Sequence, residues 1–195
     1  MIDYQKLLAT EIEYLKAIPL NSMDSFAERI ARRPHPERTR IITSGIGKAG
    51  QIAHTLATTF SSTGTPSFFL HPSEAQHGDL GVIQPGDILI VFSNSGKTRE
   101  VLELIELAKH LYPDIEVFSI TGDSKSVLAE KSNFNISYGP VEEICPLGLT
   151  PTTSTTCMSV ISDLLVVGVM TKIGFTKADY SKRHHGGYNG EKSKK

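Results

Sequence analysis

The sequence predicts an α/β fold with a five-stranded parallel sheet, and three observations carry that expectation. Short apolar runs near 40–43 and at 67–70, 88–92, 116–121 and 134–137 have the β-branched and aromatic make-up of strands. Helical segments at 49–62, 98–111, 124–131 and about 154–172 alternate with them. Gly, Ser, Thr and Pro cluster at the joins. In such a sheet ligands sit at the carboxyl ends of strands, so the loops at 44–50, 71–79, 93–98, 121–124 and 138–153 are expected on one rim.

Ahead of the first strand, Tyr4, Leu7, Leu8, Ile12, Leu15 and Ile18 recur at helical spacing before Pro19. Phe26 and Ile30 continue into a second short helix, with Ser25 and Glu28 spaced as a capping box. These stripes read as core or subunit interface. Arg32 to Pro36 then breaks the helix and links to the first strand.

The turn after that strand carries Ser44-Gly45-Ile46-Gly47-Lys48-Ala49-Gly50 and opens a helix. Glycines let main-chain N–H groups approach an anion, and the helix N-terminus behind them adds partial positive charge. Gly45, Gly47 and Gly50 also satisfy Gly-x-Gly-x-x-Gly, but the next strand ends in His71-Pro72 rather than the acidic residue that grips a ribose. A Walker loop is excluded because Ala49 follows Lys48. A lysine in the turn suits a small phosphorylated or carbonyl-bearing ligand.

A second anion site is expected at Ser93-Asn94-Ser95-Gly96-Lys97-Thr98, where hydroxyls converge with N–H groups at a helix start carrying Glu100. An N-capped turn alone needs fewer such groups. The loop 71–79 brings His71 and His77 to the rim without the further ligands of a metal site. Glu142 and Glu143 stand beside the apolar stretch Ile144 to Gly148, where desolvation is expected to raise a carboxyl pKa toward the range useful for proton transfer. The run Thr150 to Thr156 leads into the long apolar helix, with capping taking one or two of its hydroxyls.

Composition narrows the function further. With 195 residues, 39% apolar and a net charge of −1, the chain is long enough for one well-buried core and presents no broad basic field for nucleic acid. No apolar run of membrane-span length and no signal peptide is evident in the sequence, which places the expectation in the cytoplasm. Cys145 and Cys157 form no metal-like spacing and fit a reducing compartment. The basic residues toward the end read as a solvated tail over 188–195.

Five segments in order, 45–50, 61–69, 77–81, 93–96 and 145–152, together resemble the sugar isomerase (SIS) domain of D-arabinose 5-phosphate isomerases over about Ile41 to Gly187. The resemblance implies a flavodoxin-like three-layer α/β/α fold, an isomerase domain at 37–187 preceded by N-terminal helices at 1–36, and a homotetramer. It also implies interconversion of arabinose 5-phosphate and ribulose 5-phosphate, feeding synthesis of the eight-carbon acid Kdo, without cofactor or metal. By motif position it assigns catalytic roles to Lys48, His77, Glu100, Glu143 and His184, with Ser44, Gly45, Gly47, Ser93, Asn94, Ser95 and Thr98 holding the substrate and its phosphate. Enediol chemistry gives those roles sense: Glu143, with Glu100 as rival, takes the carbon-bound proton, Lys48 balances the developing oxyanion, and His77 and His184 serve oxygen protons or ring opening. In similar enzymes the C-terminal histidine reaches a neighbouring subunit.

The chain departs from that pattern at Lys97, where a glutamate is common, and at His185, which replaces a proline. Paired CBS domains, which many relatives append, are not expected here, leaving feedback by a Kdo sugar nucleotide in the cleft as one expected mode of control. The alternatives are an isomerase of another phosphosugar, a non-catalytic SIS sensor, and, more distantly, a dinucleotide oxidoreductase.

Overall fold

The computed structural model describes residues 2–193. Five parallel strands, β1 (Ile41–Gly45), β2 (Ser67–Phe69), β3 (Ile88–Ser93), β4 (Glu116–Thr121) and β5 (Phe134–Ser137), lie in the order β2-β1-β3-β4-β5. That order is the flavodoxin-like one, with its switch point between β1 and β3. Alternation along each strand feeds two separate cores. Ile41, Ile88, Ile90, Phe92, Phe118 and Ile120 pack on helices α2 (Leu20–Ala31), α3 (Gly47–Ser62) and α7 (Thr153–Lys172). On the other face Ile42, Leu89, Val91 and Val117 meet α5 (Arg99–Leu111) and α6 (Val127–Lys131). The three-layer arrangement is therefore written in the period-two pattern of strands buried on both sides.

Helix α1 (Tyr4–Lys16) starts at Asp3, whose side chain accepts a hydrogen bond from Lys6 N–H. None of its residues is fully buried, and Tyr4, Leu8 and Ile12 remain exposed, while Ile18 beyond its end enters the core. The expected Ser25–Glu28 capping box does not form. Pro19, with its fixed φ, starts α2 well before Ser25, and Glu28 instead pairs with Lys172 and Arg32. The linker to β1 is ordered by buried Arg33, which donates to the carbonyls of Ile30, Pro36 and Thr39.

Four short elements have no counterpart in the sequence reading: α4 (Pro72–Ala75), a 3₁₀ turn over Asp79–Val82, α8 (Lys177–Ser181) and α9 (Gly187–Ser193). The end of the chain is thus helical as far as Ser193 rather than a frayed tail, and Lys194 and Lys195 lie outside the described residues. A real capping box opens α8, formed by Thr176 and Asp179. Among the described residues, α7 alone has the length and apolar composition that could cross a membrane, contrary to the expectation that no run reaches that size. Half of that stretch is buried, and α7 packs against α1, α2 and α3 as the central helix of its layer.

Candidate active site

The starts of three helices face one open cavity of about 690 Å³ at the carboxyl end of the sheet. Helix α3 contributes Gly47 and Lys48, the loop before α5 contributes Ser93, Asn94, Ser95 and Thr98, and α7 contributes Ser154, Thr155 and Met158. Each helix start leaves main-chain N–H groups without intrahelical partners. Neither α3 nor α5 receives a side-chain cap, so those donors and the aligned dipoles are available to an anion.

The turn into α3 depends on contact that only glycine permits. A Cβ on Gly50 would lie 2.5 Å from the carbonyl oxygen of Gly45, and Gly47 takes φ of +62°. Strand β1 runs through Gly45, further than expected, and this buries Ser44, whose hydroxyl donates to Leu70 O at 2.6 Å. Ser44 and Gly45 therefore support the turn from beneath and do not line the cavity. Lys48 is exposed on its wall and makes no ion pair among the described residues.

After β3, Ser93 Oγ pairs with Thr98 Oγ1 at 2.7 Å and accepts from Gly96 N–H at 3.1 Å. Ser95 Oγ accepts from Lys97 N–H. Asn94 is fixed on two sides: Gly122 N–H donates to its carbonyl at 2.9 Å and the Tyr138 hydroxyl donates to its Oδ1 at 2.7 Å. Sequence reasoning passes over Tyr138. The signal that could find it is a buried phenol, which needs a partner wherever the chain carries it inside.

Glu143 lines the same cavity. Its Oε2 accepts from Thr152 N–H at 2.6 Å, from Thr152 Oγ1 at 3.0 Å and from Ser154 N–H at 3.3 Å, so the carboxylate caps α7 from across the loop. All three of these bonds fall on Oε2. The expected rise in its pKa is overturned. Burial does push it upward, but the hydrogen bonds from Ser154 and Thr152 outweigh burial and hold the carboxyl below its ordinary value. The group is an anion at neutral pH, ready to accept a proton.

The remaining expected residues lie elsewhere in the chain. Glu100 sits half-buried on the first turn of α5, its carboxylate unpaired among the described residues, and His77 is exposed in the loop after α4; neither lines the cavity. His184 stacks on Tyr180 with ring centroids 3.6 Å apart and holds its Nδ1 3.0 Å from Tyr180 O. Its neighbour Arg183 lines a different hollow over β2 with His54 and Phe69. Lys97 and His185 are both exposed. The described residues contain no cluster of three or more His, Cys, Asp or Glu able to hold a metal.

Two uncapped helix starts, the cation of Lys48 and the carboxylates of Glu142 and Glu143 surround one open cavity at the carboxyl edge of an α/β sheet, an arrangement suited to an anionic ligand. The chain belongs to the SIS domain family, whose model matches residues 36–168. It is 41% identical over 185 residues to the arabinose 5-phosphate isomerase KdsD of Francisella tularensis, covering 93% of this chain and 56% of that protein. Identity to Escherichia coli K12 KdsD is 43%, covering 78% of this chain and 46% of that protein. The chain thus spans about half the length of these curated relatives. Among solved structures, a Bacteroides fragilis NCTC 9343 protein assigned as a phosphosugar isomerase involved in capsule formation superposes with a TM-score of 0.91 at 52% identity, covering 94% of this chain and 96% of that one. The E. coli CFT073 protein c3406, solved in complex with arabinose 5-phosphate, gives 0.83 at 30% identity, covering 94% of this chain and all of its own.

Proposed function

We propose that this chain is an aldose–ketose isomerase that interconverts D-ribulose 5-phosphate and D-arabinose 5-phosphate through an enediol, supplying Kdo synthesis. The observation that carries this reading is the meeting, in one cavity, of uncapped helix starts, Lys48 and a carboxylate held ionised. The KdsD relatives and the E. coli protein with arabinose 5-phosphate bound support the substrate.

In the reaction, the phosphate is held by Ser93, Ser95, Thr98 and the N–H groups of α5, which fixes the sugar chain along the cavity. Glu143 Oε1 takes the proton from the carbon next to the carbonyl, and Glu100 is the rival for that step. Lys48 balances the charge that moves onto oxygen as the enediol forms. His77 and His184 serve ring opening and oxygen protons, with His184 supplied to the cavity of a neighbouring copy. Exposed Tyr4, Leu8, Ile12, Leu164 and Val167 support assembly of copies, which we read as a homotetramer. The isomerase unit is 37–187, with the N-terminal helices within 1–36 packing on the core or on a subunit, in a cytoplasmic enzyme that a Kdo sugar nucleotide inhibits by competing in the cleft.

The test is NMR of purified protein with ribulose 5-phosphate. Appearance of arabinose 5-phosphate is expected; tight binding without conversion would overturn the isomerase in favour of a phosphosugar sensor.

A further inference from the structure

The loop from Tyr138 to Thr152 carries Glu143 with little regular structure of its own. A chain of that kind keeps a carboxylate in place only if something outside it restrains the backbone. The N–H groups of both residues adjoining Glu143 are restrained, and the restraint leads back to α1. Glu142 N–H donates to Tyr14 Oη at 3.1 Å. Ile144 N–H donates to Thr153 Oγ1 at 3.3 Å, and that hydroxyl spends its own proton on Glu11 Oε1 at 2.8 Å. The donors and acceptors are consistent along the relay, since one hydroxyl can accept and donate at once.

We propose that Tyr14 and Glu11, one helical turn apart on α1, are positioning residues that hold Glu143 in its working geometry. The inference rests on the isomerase reading above, in which Glu143 is the carbon base. Both residues lie outside the stretch 36–168 that defines the family domain. Glu11 Oε2 is buried without a hydrogen-bond partner, a cost that a purely structural helix face would avoid with an apolar residue. Tyr14 and Leu15 pack against the core, so the clamp is anchored and does not drift with the exposed side of α1.

Tyr14→Phe keeps the ring and removes the acceptor, and Thr153→Val keeps the shape and breaks the relay. In the full chain, each is expected to lower kcat about tenfold with KM within about twofold, because ligand grip lies on other elements. The acid limb of kcat/KM should also move to higher pH, since a loosened loop weakens the hydrogen bonds that lower the Glu143 pKa. The titratable groups around that carboxylate are Glu142 beside it, Lys48 on α3, Glu11 on α1, Cys157 on α7 and Tyr138 after β5, and all are retained in Tyr14→Phe. Lys16→Ala, at an exposed ion pair on the same helix, controls for general disturbance of α1. Unchanged kcat and pH profile in both variants, or a loss equalled in Lys16→Ala, would overturn the clamp. If wild type turns over and Glu143→Gln does too, the assignment of the base fails instead; a wild-type chain without turnover overturns both readings.

Discussion

The hydroxyl of Tyr138 and the side-chain oxygen of Asn94 are joined by a 2.7 Å hydrogen bond that ties the exit of β5 to the loop after β3. Burial holds the phenol protonated far beyond its ordinary range, so it acts as a donor at every working pH. Tyr138→Phe frees the Asn94 carboxamide to rotate. One lost hydrogen bond is worth about 1 kcal/mol, and KM for the sugar phosphate should rise about fivefold, read from initial rates.

Removing the charge of Glu143 separates binding from chemistry. Glu143→Gln should lower turnover by about 10²–10⁴-fold, while isothermal titration still finds substrate bound. The same variant tests a pH linkage. Because the folded carboxyl is held below its ordinary value, its contribution to stability is present above the unfolded-state pKa and is lost as pH falls through the folded one. The Tm deficit of Glu143→Gln should therefore be largest near neutral pH and close in acid, as thermal unfolding across pH will show.

Gly50 sits in a helix, where alanine is intrinsically better by about 1 kcal/mol. Packing opposes that gain, because the added Cβ would lie 2.5 Å from Gly45 O and 2.9 Å from Gly45 C, both unyielding backbone. Overpacking of this kind costs about 1–3 kcal/mol. Gly50→Ala should show a lower Tm by calorimetry and a weaker phosphosugar affinity.

Two cysteines should react very differently. The Cys145 thiol is brought down to about 7 by main-chain N–H groups, Thr150 first and Leu149 among the others, whereas burial pushes Cys157 up to about 11. Iodoacetamide should modify Cys145 first, with half-maximal rate near pH 7, and peptide mapping will locate the adduct. Gly148 and Leu149 of that loop line the cavity, so bound substrate should slow the reaction.

The sheet was legible because its central strand β3 is apolar on both faces, β4 and β5 carry apolar residues at least at every second position, and each crossover is punctuated by glycine, proline or hydroxyl residues. The same signals placed Gly47, Lys48, Ser93 to Thr98 and Glu143 on one rim. What sequence could not supply were partners chosen across long separations. Glu28 looks like half of a local capping box until Lys172 is brought beside it, and Glu143 looks desolvated until the first N–H groups of α7 arrive. Ser44 looks like a ligand residue, yet one further step of strand turns it inward to Leu70 O. Local composition reports the backbone a segment prefers; it is silent on which distant donor will neutralise a buried charge.

The cavity takes much of its affinity for an anion from where helices begin, and hence from the path of the main chain. A point substitution on its wall alters what is done to the far end of a bound molecule without erasing the grip on the near end. Such a division lets one scaffold change its reaction, or give up catalysis and keep recognition, while inheriting its handle intact.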